Sequence, residues 1–76
     1  MKEVLAEVFA EVFGFEGALN DSLTPEAVKN WDSFGHLALV QRLEKRFGVS
    51  ISDADAMAME DVGKIRAVLR RLGVRV

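Results

Sequence analysis

Cysteine is absent from this sequence. That excludes disulfides, thiolate zinc sites and a cysteine nucleophile. A single histidine leaves too few imidazoles for a histidine-based metal site within one chain. No apolar run approaches the ~20 residues that span a bilayer. The first residues, MKEVLAEVFAEVF, carry glutamates at regular intervals where a signal peptide would be apolar, so a cytoplasmic chain without membrane insertion is expected. Strand signals are almost missing, and no internal repeat or low-complexity stretch is visible. With 76 residues the chain reads as one domain, 1–76, whose modest core leaves no room for a deep cleft with a full catalytic apparatus.

The net charge of −2 hides an asymmetry. Residues 1–32 hold seven acids and two bases, and residues 33–76 hold five acids and eight bases. The basic half does not interleave aromatics with its charges, as a surface that stacks nucleic-acid bases would. A charged solvent face is expected instead, with no nucleic-acid partner.

What is abundant is helical periodicity. Val4, Leu5, Val8, Phe9, Val12 and Phe13 recur at steps of three and four, with Glu3, Glu7 and Glu11 on the other side. This predicts a helix from Lys2 to Phe13, ended by Gly14. Residues 15–31 show no sustained period and form a long connection, tacked to the core by Phe15, Leu19 and Leu23. Within it, Thr24-Pro25-Glu26-Ala27 signals a single helical turn. The strongest pattern runs from Ser33 to Phe47, where Leu37, Leu39, Val40, Leu43 and Phe47 mark a buried stripe that Gly48 ends. Val49-Ser50-Ile51 is a short extended link. A short third helix capped by Ser52 or Asp53 reaches about Met57. The last helix runs from Glu60 or Asp61 to Leu72, burying Val62, Ile65, Val68, Leu69 and Leu72, with Arg70 and Arg71 at the negative end of its dipole. The fold class predicted is all-α: a small antiparallel four-helix bundle with a short third helix and a long first loop.

Asp-Ser occurs twice, as Asp21-Ser22 and Asp32-Ser33. Ser22 lies just ahead of Leu23-Thr24-Pro25, where the residue before proline is pushed out of helical geometry, so turn chemistry explains it. Ser33 opens the longest helix, where free backbone N–H groups and the dipole favour an anion. Capping by Asp32 or Ser33 is the plain alternative.

Trp31-Asp32-Ser33-Phe34-Gly35-His36-Leu37, with Leu43-Glu44-Lys45-Arg46-Phe47-Gly48-Val49-Ser50-Ile51 after it, resembles the acyl carrier protein family across the whole chain. That family places Asp-Ser and a bulky apolar residue at the start of its second helix, which ends in a Leu-Glu-x-x-Phe-Gly-Val-x-Ile pattern. The resemblance implies that Ser33 is no nucleophile of its own. A phosphopantetheinyl transferase would attach phosphopantetheine from coenzyme A to it, and the arm's thiol would carry acyl groups as thioesters. Sulfur chemistry would thus arrive with the cofactor. Further partners implied are an acyl-loading ligase or synthase and acyltransferases. Asp32 and His36 would adjoin the cofactor, Phe34, Leu37, Gln41 and Met57 would contact partners, and the chain would be a monomer.

The sequence departs from the family in its second helix, where fatty-acid-synthesis members are strongly acidic. Here Glu44 stands against Arg42, Lys45 and Arg46. Charge complementarity selects partners at such rims, which points to a specialised acyl or polymer and lipid pathway rather than bulk fatty acid synthesis. The Asp-Ser-Phe-Gly stretch is also similar to D-alanyl carriers, so an aminoacyl cargo is the alternative. His36 falls one turn after Ser33, to touch the phosphodiester or, as favoured here, to stand as an exposed polar residue. Met57 and Met59 line a cargo or partner contact, or pack into the core. Two other classes remain: an unmodified helical interaction module, and a small enzyme using Ser33 and His36, for which triad partners are scarce.

Overall fold

The structure is a computed structural model and describes residues 3–76. Its helices are α1 (Val4–Phe13), α2 (Ser33–Phe47), α3 (Asp53–Ala58) and α4 (Val62–Arg71), with a 3-10 turn at Pro25–Ala27. No strand occurs among the described residues. The expected all-α bundle is therefore present, including its short third helix and its long first loop. Lys2, where the first helix was expected to begin, lies outside the described residues.

Helix ends fall where the punctuation is. Gly14 and Gly48 take left-handed φ values of 65° and 66°, each returning its N–H to a carbonyl of the helix it ends. Ser52 and Asp61 accept from Asp55 N and Lys64 N as N-caps of α3 and α4. Glu44 does two jobs after α2. Its carbonyl takes Gly48 N and Val49 N, and its carboxylate takes Ile51 N at 2.7 Å. The chain is thereby turned so that Ile51 enters the core, a physical reason for the Glu-to-Ile spacing.

Helices α1 and α2 run antiparallel, because Glu7 meets Arg46 at 2.5 Å and Glu11 meets Arg42 at 3.1 Å. Leu5, Val8 and Phe9 of α1, Leu39, Val40 and Leu43 of α2, and Val62, Ile65, Val68 and Leu69 of α4 form the core with Val28, Trp31, Ile51 and Met59. Phe15, Leu19 and Leu23 pack against it from the long connection, as expected. Leu37 does not belong to the buried stripe, being 57% exposed. It stands two residues, about 200° of helix turn, from Leu39, so the two cannot share a face. Leu72 and Phe47 are only half-buried.

The solvated charged face has one large exception. Arg66 is 8% exposed, with Nη1 and Nη2 on the two oxygens of Glu3 at 2.9 and 2.7 Å, Nε on Asp21 Oδ1 at 3.0 Å and Nη2 on Leu19 O at 3.2 Å. A planar guanidinium with five donors suits such a multi-point site. Its hydrogen bonds hold the Glu3 carboxyl below the ordinary carboxylate range and raise Arg66 further. Around the same corner, Gly63 N bonds Asp21 O and Val62 N bonds Leu23 O. The first α4 N–H groups, which no helix can satisfy itself, thus fasten the long connection. Asp21 is more than turn chemistry. Ser22, beside it, is exposed.

Candidate functional site at the start of the second helix

Asp32 is the N-cap of α2, its Oδ1 accepting Gly35 N at 2.9 Å while its carbonyl accepts His36 N at 2.7 Å. Of the two capping candidates, this leaves Ser33 without that duty. Ser33 is the first residue of the 15-residue helix, exposed, and its hydroxyl makes no hydrogen bond among the described residues. A free hydroxyl therefore stands where the helix dipole is positive.

Gly35 shows why the serine loop sits as it does. A Cβ at this position would come within 1.8 Å of Asn30 O and 3.0 Å of Phe13 Cε1. The backbone before the site thus lies directly on α2, and Asn30 takes a left-handed φ of 71° to turn it there. Asparagine is among the residues that accept this region. The next residue, Trp31, is 4% exposed and meets Phe9 edge-on, with ring centroids 5.3 Å apart. The residue two before Ser33 is a core anchor.

His36 is half-buried, contrary to the exposed position expected for it. Trp31 Nε1 donates to His36 Nδ1 at 2.8 Å, and His36 Nε2 lies 2.7 Å from Ala56 O. The Trp31 and His36 ring planes differ by 11° with centroids 6.2 Å apart, an edge-to-edge arrangement that suits a hydrogen bond in the ring plane. Both ring nitrogens are engaged, neither of them with Ser33.

The four residues expected to contact partners all face solvent. Phe34 is 86% exposed, Leu37 57% and Met57 80%, and Gln41 is exposed one turn further along α2. Met59, by contrast, is 2% exposed and belongs to the core. Arg42 and Arg46 pair with α1 and Glu44 with Ile51, so the outward strip Phe34, Leu37, Gln41 and Lys45 carries only the Lys45 charge.

Beside Ser33 lies an open groove of about 460 Å3, lined by Pro25, Trp31, Asp32, Ser33, His36, Ala56, Met57 and Met59. Pro25 and Ala56 carried no functional signal in the sequence. Pro25 reads as the first residue of a turn and Ala56 as helix filler, and only the fold brings them to the same groove as the serine. No group of ligands able to hold a metal occurs among the described residues. No helix among them is long and apolar enough to cross a membrane. No family model matches the chain, and neither the curated proteins nor the solved structures contain a match to it.

Proposed function

We propose that the chain is an acyl carrier whose Ser33 hydroxyl receives a phosphopantetheine arm from coenzyme A through a phosphopantetheinyl transferase. The serine oxygen would form a bond to the nearer phosphorus of the coenzyme's pyrophosphate. The bridging P–O bond breaks, the nucleoside bisphosphate leaves, and the serine proton passes to the transferase. Acyl groups then ride on the arm's thiol as thioesters, loaded by a ligase or synthase and taken off by acyltransferases, in the cytoplasm. The observation that carries this reading is the state of Ser33: exposed and unbonded at the first position of α2, with Asp32 doing the capping. A phosphodiester there meets the positive helix end.

The groove beside it offers the arm an apolar contact in the exposed Met57, backed by the buried Trp31 and Met59. With both His36 nitrogens engaged, the part of His36 in this conformation is to hold that lining rather than to bond the phosphate. The outward strip of α2 lacks acids, which supports enzymes other than those that read an acidic helix, and hence a specialised acyl or polymer and lipid pathway. An aminoacyl cargo of the D-alanyl kind would use the same attachment.

The test is an intact-mass measurement with peptide mapping after incubation with coenzyme A and a broad-specificity transferase. One phosphopantetheinyl group on the Ser33 peptide, lost in Ser33→Ala and kept in Ser22→Ala, is the expected result. No added mass with several transferases would refute the reading and leave a helical interaction module.

A further inference from the structure

Three segments meet at His36. Trp31 belongs to the end of the long connection, His36 to the first turn of α2, and Ala56 to the last turn of α3, twenty residues along the chain. An indole N–H only donates and a carbonyl oxygen only accepts. The ring is therefore held as its Nε2–H tautomer, with Nδ1 taking the Trp31 proton and Nε2–H donating to Ala56 O.

Helix α3 has few other supports. Its six residues are too short a run to be helical by themselves, and none of them is buried. Ser52 caps its start, Ala56 packs half-buried against the core, Asp55 pairs with the exposed Arg71, and Met59 anchors the chain just beyond its end. Ala56 O is one of the final carbonyls that a helix leaves without an internal partner. Apart from the Met59 N–H at 3.3 Å, the His36 imidazole is what satisfies it. The same helix brings Ala56 and Met57 to the lining of the groove beside Ser33.

We propose that His36 is a positioning residue, whose Nε2–H bond to Ala56 latches α3 at its distance from the start of α2 and so sets the width of the groove beside Ser33. Opening the latch releases α3 and leaves the core in place, because none of the large fully buried side chains lies within Asp53–Ala58. The consequence for an arm in the groove rests on the carrier reading, whereas the latch itself does not.

The two ring nitrogens can be separated chemically. In His36→Asn the amide reaches the Nδ1 position and can accept from Trp31, but falls short of Ala56. In His36→Gln the longer side chain can donate to Ala56 O and gives up the Nδ1 position. Amide hydrogen exchange is read on the unmodified chain. His36→Asn is expected to speed exchange at Ala56 and Met59 about fivefold, which corresponds to one net hydrogen bond of about 1 kcal/mol. Amides of Leu43 and Ile65 should keep their rates, and His36→Gln should restore the α3 rates to within about twofold. Unchanged α3 rates in His36→Asn, an equal rise in every helix, or α3 amides already unprotected in the wild type would each overturn the proposal. A second measurement needs no variant. The nitrogen spectrum of the wild-type imidazole should show the proton on Nε2, and a proton on Nδ1 alone would overturn the latch. A transferase that leaves Ser33 unmodified would refute the carrier and leave these amide results standing, so the two readings fail separately.

Discussion

Gly35→Ala sets two effects of opposite sign against each other. In a helix interior alanine is better than glycine by about 1 kcal/mol, so propensity favours the substitution in the first turn of α2. The new Cβ, however, would lie 1.8 Å from Asn30 O and 2.9 Å from the Asn30 carbonyl carbon. Ordinary C···O approach is about 3.3 Å, so the Asn30 peptide must retreat by roughly 1.5 Å. It has little freedom to do so. Asn30 is already turned to a φ of 71°, Trp31 N is bonded to Val28 O, and the Trp31 ring is buried against Phe9. Overpacking of this kind costs about 1–3 kcal/mol, and the backbone origin of the clash puts it at the upper end. Net of the propensity gain, Gly35→Ala should destabilise by about 2 kcal/mol, lowering Tm by about 8–16 °C for a domain of this size. Thermal and urea unfolding followed by far-UV circular dichroism read the effect. Gly63→Ala is the control, because its Cβ would stand 3.1 Å from Asp21 O, a gap that a small shift relieves. There the same propensity gain roughly cancels the strain, and stability should stay within about 0.5 kcal/mol. A Gly35→Ala protein as stable as the wild type would refute the close approach of the loop.

Asp32→Ala removes the N-cap of α2 and should cost about 1 kcal/mol, while Ser33→Ala, which breaks no hydrogen bond among the described residues, should stay within about 0.5 kcal/mol. Urea midpoints compare them, and a larger loss for Ser33→Ala would make the serine a structural residue after all. Glu3 gives a pH dependence of known sign: hydrogen bonds from Arg66 lower its folded-state pKa below the ordinary 4.5. Its contribution is therefore fully present above that value and is lost as pH falls below it. Since the Glu3 side chain is 43% exposed, Glu3→Gln should cost no more than about 1 kcal/mol at neutral pH and should flatten the decline of stability in acid. An unchanged decline would show that the Glu3–Arg66 pair is not what titrates.

Local chemistry made the helix ends legible. Gly14, Gly48, Asp32 and Ser52 act within a few residues of where they stand in the chain, and each does what its residue type suggests. The apolar periods mark the core for the same reason, except at Leu37, which is apolar but lies on the far side of α2 from Leu39. Long-range pairings were illegible. His36 looks like a polar residue one turn past a serine, and its Ala56 partner carries no signal at all. Arg66 looks like any base on an amphipathic helix, yet it is buried because Glu3 and Asp21, remote in sequence, arrive around it. Gly35 reads as a weak helix residue until the path of Asn30 over it is known.

The charge asymmetry between the two halves also changes meaning once the chain is folded. Glu3 faces Arg66, Glu7 faces Arg46 and Glu11 faces Arg42, so acids of the first half neutralise bases of the second. The outer pairs are half exposed and contribute little stability each, about 0.2–1 kcal/mol. Their larger effect is on what the surface presents. With Arg42 and Arg46 drawn to α1 and Glu44 turned to Ile51, the face that runs on from Ser33 is left with Phe34, Leu37, Gln41 and a single cation, Lys45. Long-range steering needs a field of one sign, and this strip has too few free charges to make one. On the carrier reading, then, enzymes that approach Ser33 must recognise it by apolar fit around Phe34 and Met57. An acidic second helix would instead attract basic partners from a distance.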